Sequence, residues 1–465
     1  MSGHVHQWLE YSPDLSSLSV KFPEKFPYLL ESTARGPLGK YSLLLYAGDQ
    51  VLVLRAGAGL SGPGCGDTFF ERLESWYQAE CLPRESDPDS AVNSIPFIGG
   101  WFIYLGYEAA AEIEPSLSLP ANKTGLPDAL AHRCQGAIVV THDLHDSARD
   151  RAMAVAESAD VLSEMLACIP SMTPLSPPHS DILPASLVLL EEENPQTFKD
   201  SVARIHEYLV AGDVFQVNIS RDWKGRFAEP VDARALYRLL RMHNPAPFAG
   251  MLRWQDRLMM SSSPERLVQI QGDVVQTRPI AGTRPRGSDD RLDQALSTEL
   301  LGNLKERAEH VMLIDLERND LGRVCQPGTL TVDEFMVVES YAHVHHIVSN
   351  VRGELRTGVS PVDVIKAVFP GGTITGCPKV RCMEIIAELE REGRGFYTGS
   401  MGYLGRDGQM DLNILIRSLL LHDKDFSFRT GAGIVADSVA DHEVTETQDK
   451  ARGLLLALEP QNAGN

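Results

Sequence analysis

The chain has 465 residues, 43% of them hydrophobic, 23% charged and 7% aromatic, an ordinary balance for a globular protein. Asp and Glu number 63 against 43 Lys and Arg, and the formal charge of −20 repels nucleic-acid backbones and anionic lipid, which argues against DNA, RNA and membrane partners. No run approaches the ~18 consecutive apolar residues of a transmembrane helix, the start MSGHVHQWLEYSPDL has neither the basic nor the apolar part of a signal peptide, and the seven cysteines form no CxxC pair, so a reduced, cytoplasmic protein is expected.

In chain order, the first part offers strand-like runs, YSLLLYAG, QVLVLRAG and GAIVVTHDL, each closed by turn residues. The stretch DSARDRAMAVAESADVLSEMLACIP reads as helical. It runs into PSMTPLSPPHSDILP, whose five prolines suit a connector, because proline fixes φ and removes a backbone donor. The division expected is therefore 1–170, a connector over 171–194, and 195–465. The second part opens on an amphipathic helix with Val202, Ile205, Leu209 and Val210 on one face and Gly212 as its cap. VFQVNIS follows as a strand, LDQALSTELLGNLKERAEHVMLIDLERNDLG as one long helix, and PKVRCMEIIAELEREG as another. RLVQIQ, DVVQTRP, HIVSNVRGEL, MGYLG, LNILIRSLLLH and FSFRTGAGIVADS supply further strands. Strands with short links and long covering helices imply an α+β fold with largely antiparallel sheets.

Several motifs carry chemistry or imitate it. GAGIVADS has dinucleotide-loop spacing at Gly431, Gly433 and Ala436, but too little chain follows for a βαβ unit, so a tight turn or a close ligand approach accounts better for the glycines. GPGCG around Cys65 fails as a nucleophile elbow and reads as a surface turn. In YAHVHHIVS, strand alternation separates His346 from His343 and His345, and His346 is the one expected beside a buried site. Glu306 and Glu309 lie one helical turn apart, as do Glu443 and Glu446, and such pairs either face solvent or hold a cation. TRPIAGTRPRG and FPGGTITGCPK put glycines, Thr283, Thr373, Thr375 and arginines where an anion can be received in an otherwise acidic chain.

Together and in this order, SSSPERLV, TRPIAGTRPRG, NLKERAEHVMLIDLERNDLGRV, HVHHIVSNVRGEL, AVFPGGTITGCPKVRCMEII, GFYTGSMGYL, LNILIRSL, GAGIVADS and ETQDKA resemble the chorismate-utilising enzymes over nearly all of 195–460. In the first part, PYLLESTARGPLGKYS and FIGGWFIYLGYE, ending at Glu108, are similar to component I of anthranilate and aminodeoxychorismate synthases. The resemblance implies two stacked, largely antiparallel β-sheets flanked by helices, with one active site in the larger C-terminal portion. It implies Glu309 and Glu446 as ligands of Mg²⁺ on the ring carboxylate of chorismate. Gly282, Thr283, Tyr397, Arg417, Lys450 and the backbone of Gly431, Ala432 and Gly433 would receive the substrate, and Glu265, His346 and Thr375 would act in catalysis. It also implies a glutamine amidotransferase subunit as partner, because the chain has no glutaminase centre of its own.

Ala281 stands where enteric aminodeoxychorismate synthases carry a lysine, while FPGGTITG resembles the para-aminobenzoate branch. Ser32, closing LLES, is similar to the tryptophan pocket of anthranilate synthases. The expectation is C4 amination to 4-amino-4-deoxychorismate, with C2 amination to anthranilate and a catalytically silent chorismate-binding subunit as alternatives.

Overall fold

The computed structural model describes residues 4–34, 36, 38–83, 95–143, 146, 149–169, 185–287, 289–340 and 344–459. Its strands pair antiparallel throughout and form two ladders that meet at the long strand Ala129–Thr141, which bonds to Tyr41–Arg55, Gly100–Leu105 and Arg151–Ala156. The first ladder runs from Tyr41–Arg55 through Tyr28–Glu31, Phe248–Trp254, Arg257–Ser263, Ser418–His422 and Asp425–Ile434 to Gln216–Phe227. The second runs from Gly100–Leu105 through Ser400–Gly405, Met410–Asn413, Arg266–Gln271 and Val274–Thr277 to Val344–Glu354, which also carries Ile280–Pro285 and Thr331–Ser340.

Period-two alternation stacks the two ladders face to face. Phe102, Tyr104, Met401 and Tyr403 from one meet Tyr28, Leu43, Leu252, Met259 and Leu420 from the other in a shared core. Trp101, Ile103 and Leu105, pointing the opposite way, pack beneath the helices Phe69–Glu80, Leu304–Gly322 and Pro361–Val368. Met251, Met260, Leu419 and Leu421 pack beneath Ala159–Cys168, Ala233–His243 and Ala440–Leu458. This is the expected α+β sandwich. Both stretches flanking the proline-rich segment contribute to both sheets: Gly100–Leu105 pairs with Ser400–Gly405, and Tyr28–Glu31 with Phe248–Trp254.

Local expectations differ from the structure in several places. YSLLLYAG and QVLVLRAG are one strand of 15 residues, irregular near Ala47. The helix expected before the connector is half strand: Arg151–Ala156 pairs along Ala129–Thr141, and the helix starts only after Ser158, whose side chain accepts from the Val161 N–H. Residues 170–184 of the connector lie outside the described residues, and Leu187–Glu192 is a strand on the edge of Gln216–Phe227. The single long helix is two, Asp290–Gly302 and Leu304–Gly322, broken at Asn303, whose amide oxygen caps the second by accepting from Glu306 N–H at 3.2 Å. On Pro195–Ala211 the buried face is Phe198, Val202, Ile205 and Tyr208, while Val210 is 89% exposed; Gly212 does take the left-handed cap at φ +81°. LNILIRSLLLH is two strands in different sheets with a crossing segment between them.

Phe102 stacks on Tyr28 with ring centroids 3.8 Å apart at the centre of the shared core. Phe102→Ala should destabilise the protein by about 3–5 kcal/mol, the usual cost of deleting a buried aromatic ring, read as a lower denaturant midpoint.

Candidate active site

The site forms where the backbone changes sheets. Strand Arg257–Ser263 belongs to the first sheet and Arg266–Gln271 to the second, so Pro264 and Glu265 make the crossing. Alongside it, residues 414–417 return from the second sheet to the first, and Arg417 takes φ +50° there. The two crossings hold each other: Ile414 N–H donates to Glu265 O at 3.0 Å, and Ser262 N–H donates to Arg417 O at 3.1 Å. Residues 397–399 complete the junction, with Thr398 N–H on Leu415 O and Leu415 N–H on Gly399 O, both at 2.8 Å.

Glu265 is buried, and burial pushes its carboxyl up to about 7 against the opposing pull of the Thr373 hydroxyl, Lys450 and Arg417. Its Oε1 and the Thr373 hydroxyl are both buried without a well-formed hydrogen bond. Arg417 faces the same space. Burial lowers its pKa and Glu265 raises it, and its guanidinium has no hydrogen-bond or ion-pair partner among the described residues. Arg417 is half-buried, and a partly desolvated cation without an ion-pair partner is one that an anion would stabilise.

His346 is buried on the strand Val344–Glu354, opposite Thr283 in the ladder. Desolvation, with Arg417 adding to it, drives its pKa down to about 3, against the Gly282 backbone, which raises it. The ring is therefore neutral at physiological pH and can relay a proton only as a neutral imidazole. Gly282 sits in a bulge at φ +63°, where an added Cβ would stand 2.8 Å from a Glu306 carboxylate oxygen. The side chain of Thr283 and all of His343 lie outside the described residues. His345, which alternation separates from His346, is buried between Ser340 at 2.7 Å and Asp293 at 2.9 Å, a structural role.

Asp425–Ile434 forms the floor, antiparallel to Gln216–Phe227, so no βαβ unit exists at GAGIVADS. At Gly431, an added Cβ would stand 2.7 Å from the Tyr397 hydroxyl and 3.1 Å from Asn218 Oδ1; at Gly433 it would stand 2.3 Å from Gln216 Nε2. Ala432 points the other way, into the helix-covered core, so only its backbone faces the floor. Lys450 donates to Gly431 O at 2.9 Å and pairs with Glu446 at 2.7 Å.

Glu265, Arg417, His346, Gly282, Tyr397, Gly431, Gly433, Lys450 and Glu446 are thus joined by contacts or direct electrostatic coupling. The helix that carries Glu309 packs on the strands bearing Gly282 and His346. Thr375 is held within its own loop. Its hydroxyl donates to Gly371 O at 2.9 Å inside its own loop, and Thr373 is the threonine that faces Glu265. Sequence reading also passed over the buried Asn218 and Gln216, whose signal was their shared parity in QVNIS. Ser32 lies apart, lining a cavity of about 320 Å³ between the sheets, where its hydroxyl donates to Pro247 O at 2.8 Å. A larger cavity of about 1110 Å³ beside Leu187–Glu192 has a mixed lining, with Glu191, Glu193, Glu388 and Glu392 beside Arg204, Lys224, Arg391 and Arg429.

The profile of the chorismate binding enzyme family matches residues 65–456. The chain is 39% identical over 454 residues to aminodeoxychorismate synthase component 1 of Bacillus subtilis, covering 94% of this chain and 92% of the relative. It is 38% identical over 452 residues to anthranilate synthase component 1 of Thermus thermophilus, covering 96% and 95%. Among solved structures, anthranilate synthase component I from Streptococcus pneumoniae superimposes with a TM-score of 0.76 at 30% identity, covering 89% of this chain and 92% of that one.

The two threonines are separable by experiment. Thr373→Val removes a group that favours the Glu265 carboxylate and should raise its pKa above about 7, measured by infrared titration of the protonated carboxyl. Thr375→Val should leave that titration in place and cost about 1 kcal/mol of stability for its lost hydrogen bond.

Proposed function

This chain belongs to the chorismate-binding enzyme family, and from that premise we propose that it replaces the C4 hydroxyl of chorismate with ammonia, giving 4-amino-4-deoxychorismate. The observation that carries the reading is the pairing of a buried Glu265 carboxyl, protonated up to about pH 7, with the unpartnered Arg417. Chorismate is a dianion, and Arg417 and Lys450 offer it charge in a chain that is otherwise strongly acidic. Hydroxide is a poor leaving group, and a carboxylic acid held neutral in an apolar setting is suited to protonate it. Nitrogen supplies the pair for the new C–N bond. The C–O pair leaves on oxygen, the Glu265 proton converts it to water, and the extra proton on the amine returns to the Glu265 carboxylate. Because the acid form is required first, activity should fall as pH rises through about 7. Neutral His346 would orient the departing hydroxyl from the opposite strand.

Glu309 and Glu446 suit Mg²⁺ by donor chemistry: both are hard carboxylates, and Glu446 is a side chain 48% exposed whose ion-pair partner, Lys450, is itself 38% exposed. Among the described residues no three acidic, His or Cys side chains gather to hold a metal unaided, so substrate and water oxygens would complete the shell. Bound there, Mg²⁺ would neutralise the substrate carboxylate. Ammonia would come from a glutamine amidotransferase subunit, since the relatives are named as first components of their synthases.

C4 amination is supported by the FPGGTITG wording and the nearly end-to-end match to the Bacillus subtilis relative. Anthranilate formation is the second reading, favoured by Ala281 and by the Ser32 cavity, which under that reading would take tryptophan.

Purified chain incubated with chorismate, MgCl₂ and ammonium should yield 4-amino-4-deoxychorismate by mass. Fluorescent anthranilate without an added lyase would overturn the C4 assignment, and absence of chorismate consumption would mark a silent binding subunit. Glu309→Gln and Glu446→Gln should each lower magnesium-dependent turnover on the order of 10²-fold or more while leaving circular dichroism unchanged; retained turnover removes them from the metal.

A further inference from the structure

Tyr397 lies in a tight segment whose geometry is set by residues from the far end of the chain. Arg394, buried, donates to Glu390 at 2.7 and 2.9 Å, to Ile374 O at 3.1 Å and to Asn218 O at 2.8 Å. Its guanidinium lies 4.8 Å from the Tyr107 ring and 5.6 Å from the Tyr397 ring. One side chain thus ties together the Thr373 loop, the Asn218 strand and Tyr397. The next residue, Gly395, takes φ +59°, and a Cβ there would stand 2.5 Å from Thr124 Cγ2. Gly395 has no side chain with which to fix itself, so its peptide is held from outside. Its N–H donates to both Glu108 carboxylate oxygens, at 3.2 and 3.1 Å, and its carbonyl accepts from Tyr107 N–H at 2.8 Å. Glu108 stands in the short turn after Gly100–Leu105, and that turn is itself fixed by Gly106 N–H on Asp128 O at 2.8 Å.

We propose that Glu108 is a positioning residue for substrate binding: by clamping the Gly395 peptide it fixes Arg394 and the Tyr397 hydroxyl over the glycine floor. This rests on the chorismate reading above and assigns the first part of the chain a share in a site whose other members lie beyond residue 215. The clamp has its own pH signature. Burial pushes Glu108 up to about 7, with Asp128 adding to it, while the backbone N–H groups of Gly395 and of its own turn oppose. Tyr104 and Tyr107 also feel its charge, Tyr107 feels Arg394 and Glu390 as well, and Asp128 feels Glu112. The ionised carboxylate is the stronger acceptor, so the grip weakens as pH falls through about 7, opposite in sign to the loss expected from Glu265.

The test is the chorismate dissociation constant by titration calorimetry, with KM and kcat where turnover is seen, from pH 5.5 to pH 8.5, for the wild type, Glu108→Gln and Glu108→Asp. Glu108→Gln should weaken chorismate binding roughly 10–100-fold, change KM more than kcat, and flatten the acid-side weakening. Glu108→Asp, which keeps the charge, should keep an acid limb, displaced along the pH axis. Wild-type affinity and an unaltered acid limb in Glu108→Gln would overturn the proposal. If Glu108→Gln fails to fold, Glu108→Asp decides alone: an acid limb shifted along the pH axis supports the clamp, and an unshifted one overturns it. Wild-type protein that does not bind chorismate would instead overturn the functional reading.

Discussion

Two polypeptide crossings, locked side by side, are the constraint on which the site depends. A sheet satisfies its backbone groups through its ladder, but a chain that leaves one sheet for another must break the ladder and bury irregular backbone. Here the outward crossing at Glu265 and the return crossing at Arg417 satisfy one another through Ile414 and Ser262. The breaks leave room for side chains that the apolar core would not admit, and a carboxyl and a guanidinium occupy it. Hence a buried carboxyl and a half-buried guanidinium face one another inside a strongly acidic chain.

Burial then sets the chemistry. Desolvation raises Glu265 into the neutral range, lowers His346 far below it, and lowers Arg417 against the pull of Glu265. These are three outcomes of a single cause acting on an acid, a base and a permanent cation. A dianionic ligand would satisfy the cation and exploit the acid.

The helices and glycines give the site its walls. Gly431 and Gly433 leave a floor from which the Tyr397 hydroxyl and the Asn218 and Gln216 amides emerge, because any Cβ there would displace them. Arg394 braces that floor from behind, and Glu108, from the first part of the chain, holds the Gly395 peptide beside it.

The order of motifs from SSSPERLV to ETQDKA identified the family, since residue types at fixed spacing around turns and helix starts are written locally. So were the Gly212 cap and the turn at Cys65. Local periodicity failed where a neighbour decided: RAMAVA reads as helix until Ala129–Thr141 pairs with it, and LNILIRSLLLH reads as one strand until its two halves join different sheets. Thr373 and Thr375 are equivalent in sequence, and only the loop's fold aims one at Glu265 and the other at Gly371. The sequence by itself determined the family and the inventory of charged groups. Which carboxyl is buried, which cation lacks a partner and which threonine faces the acid were decided by the tertiary structure, because desolvation and pairing depend on neighbours brought from far along the chain.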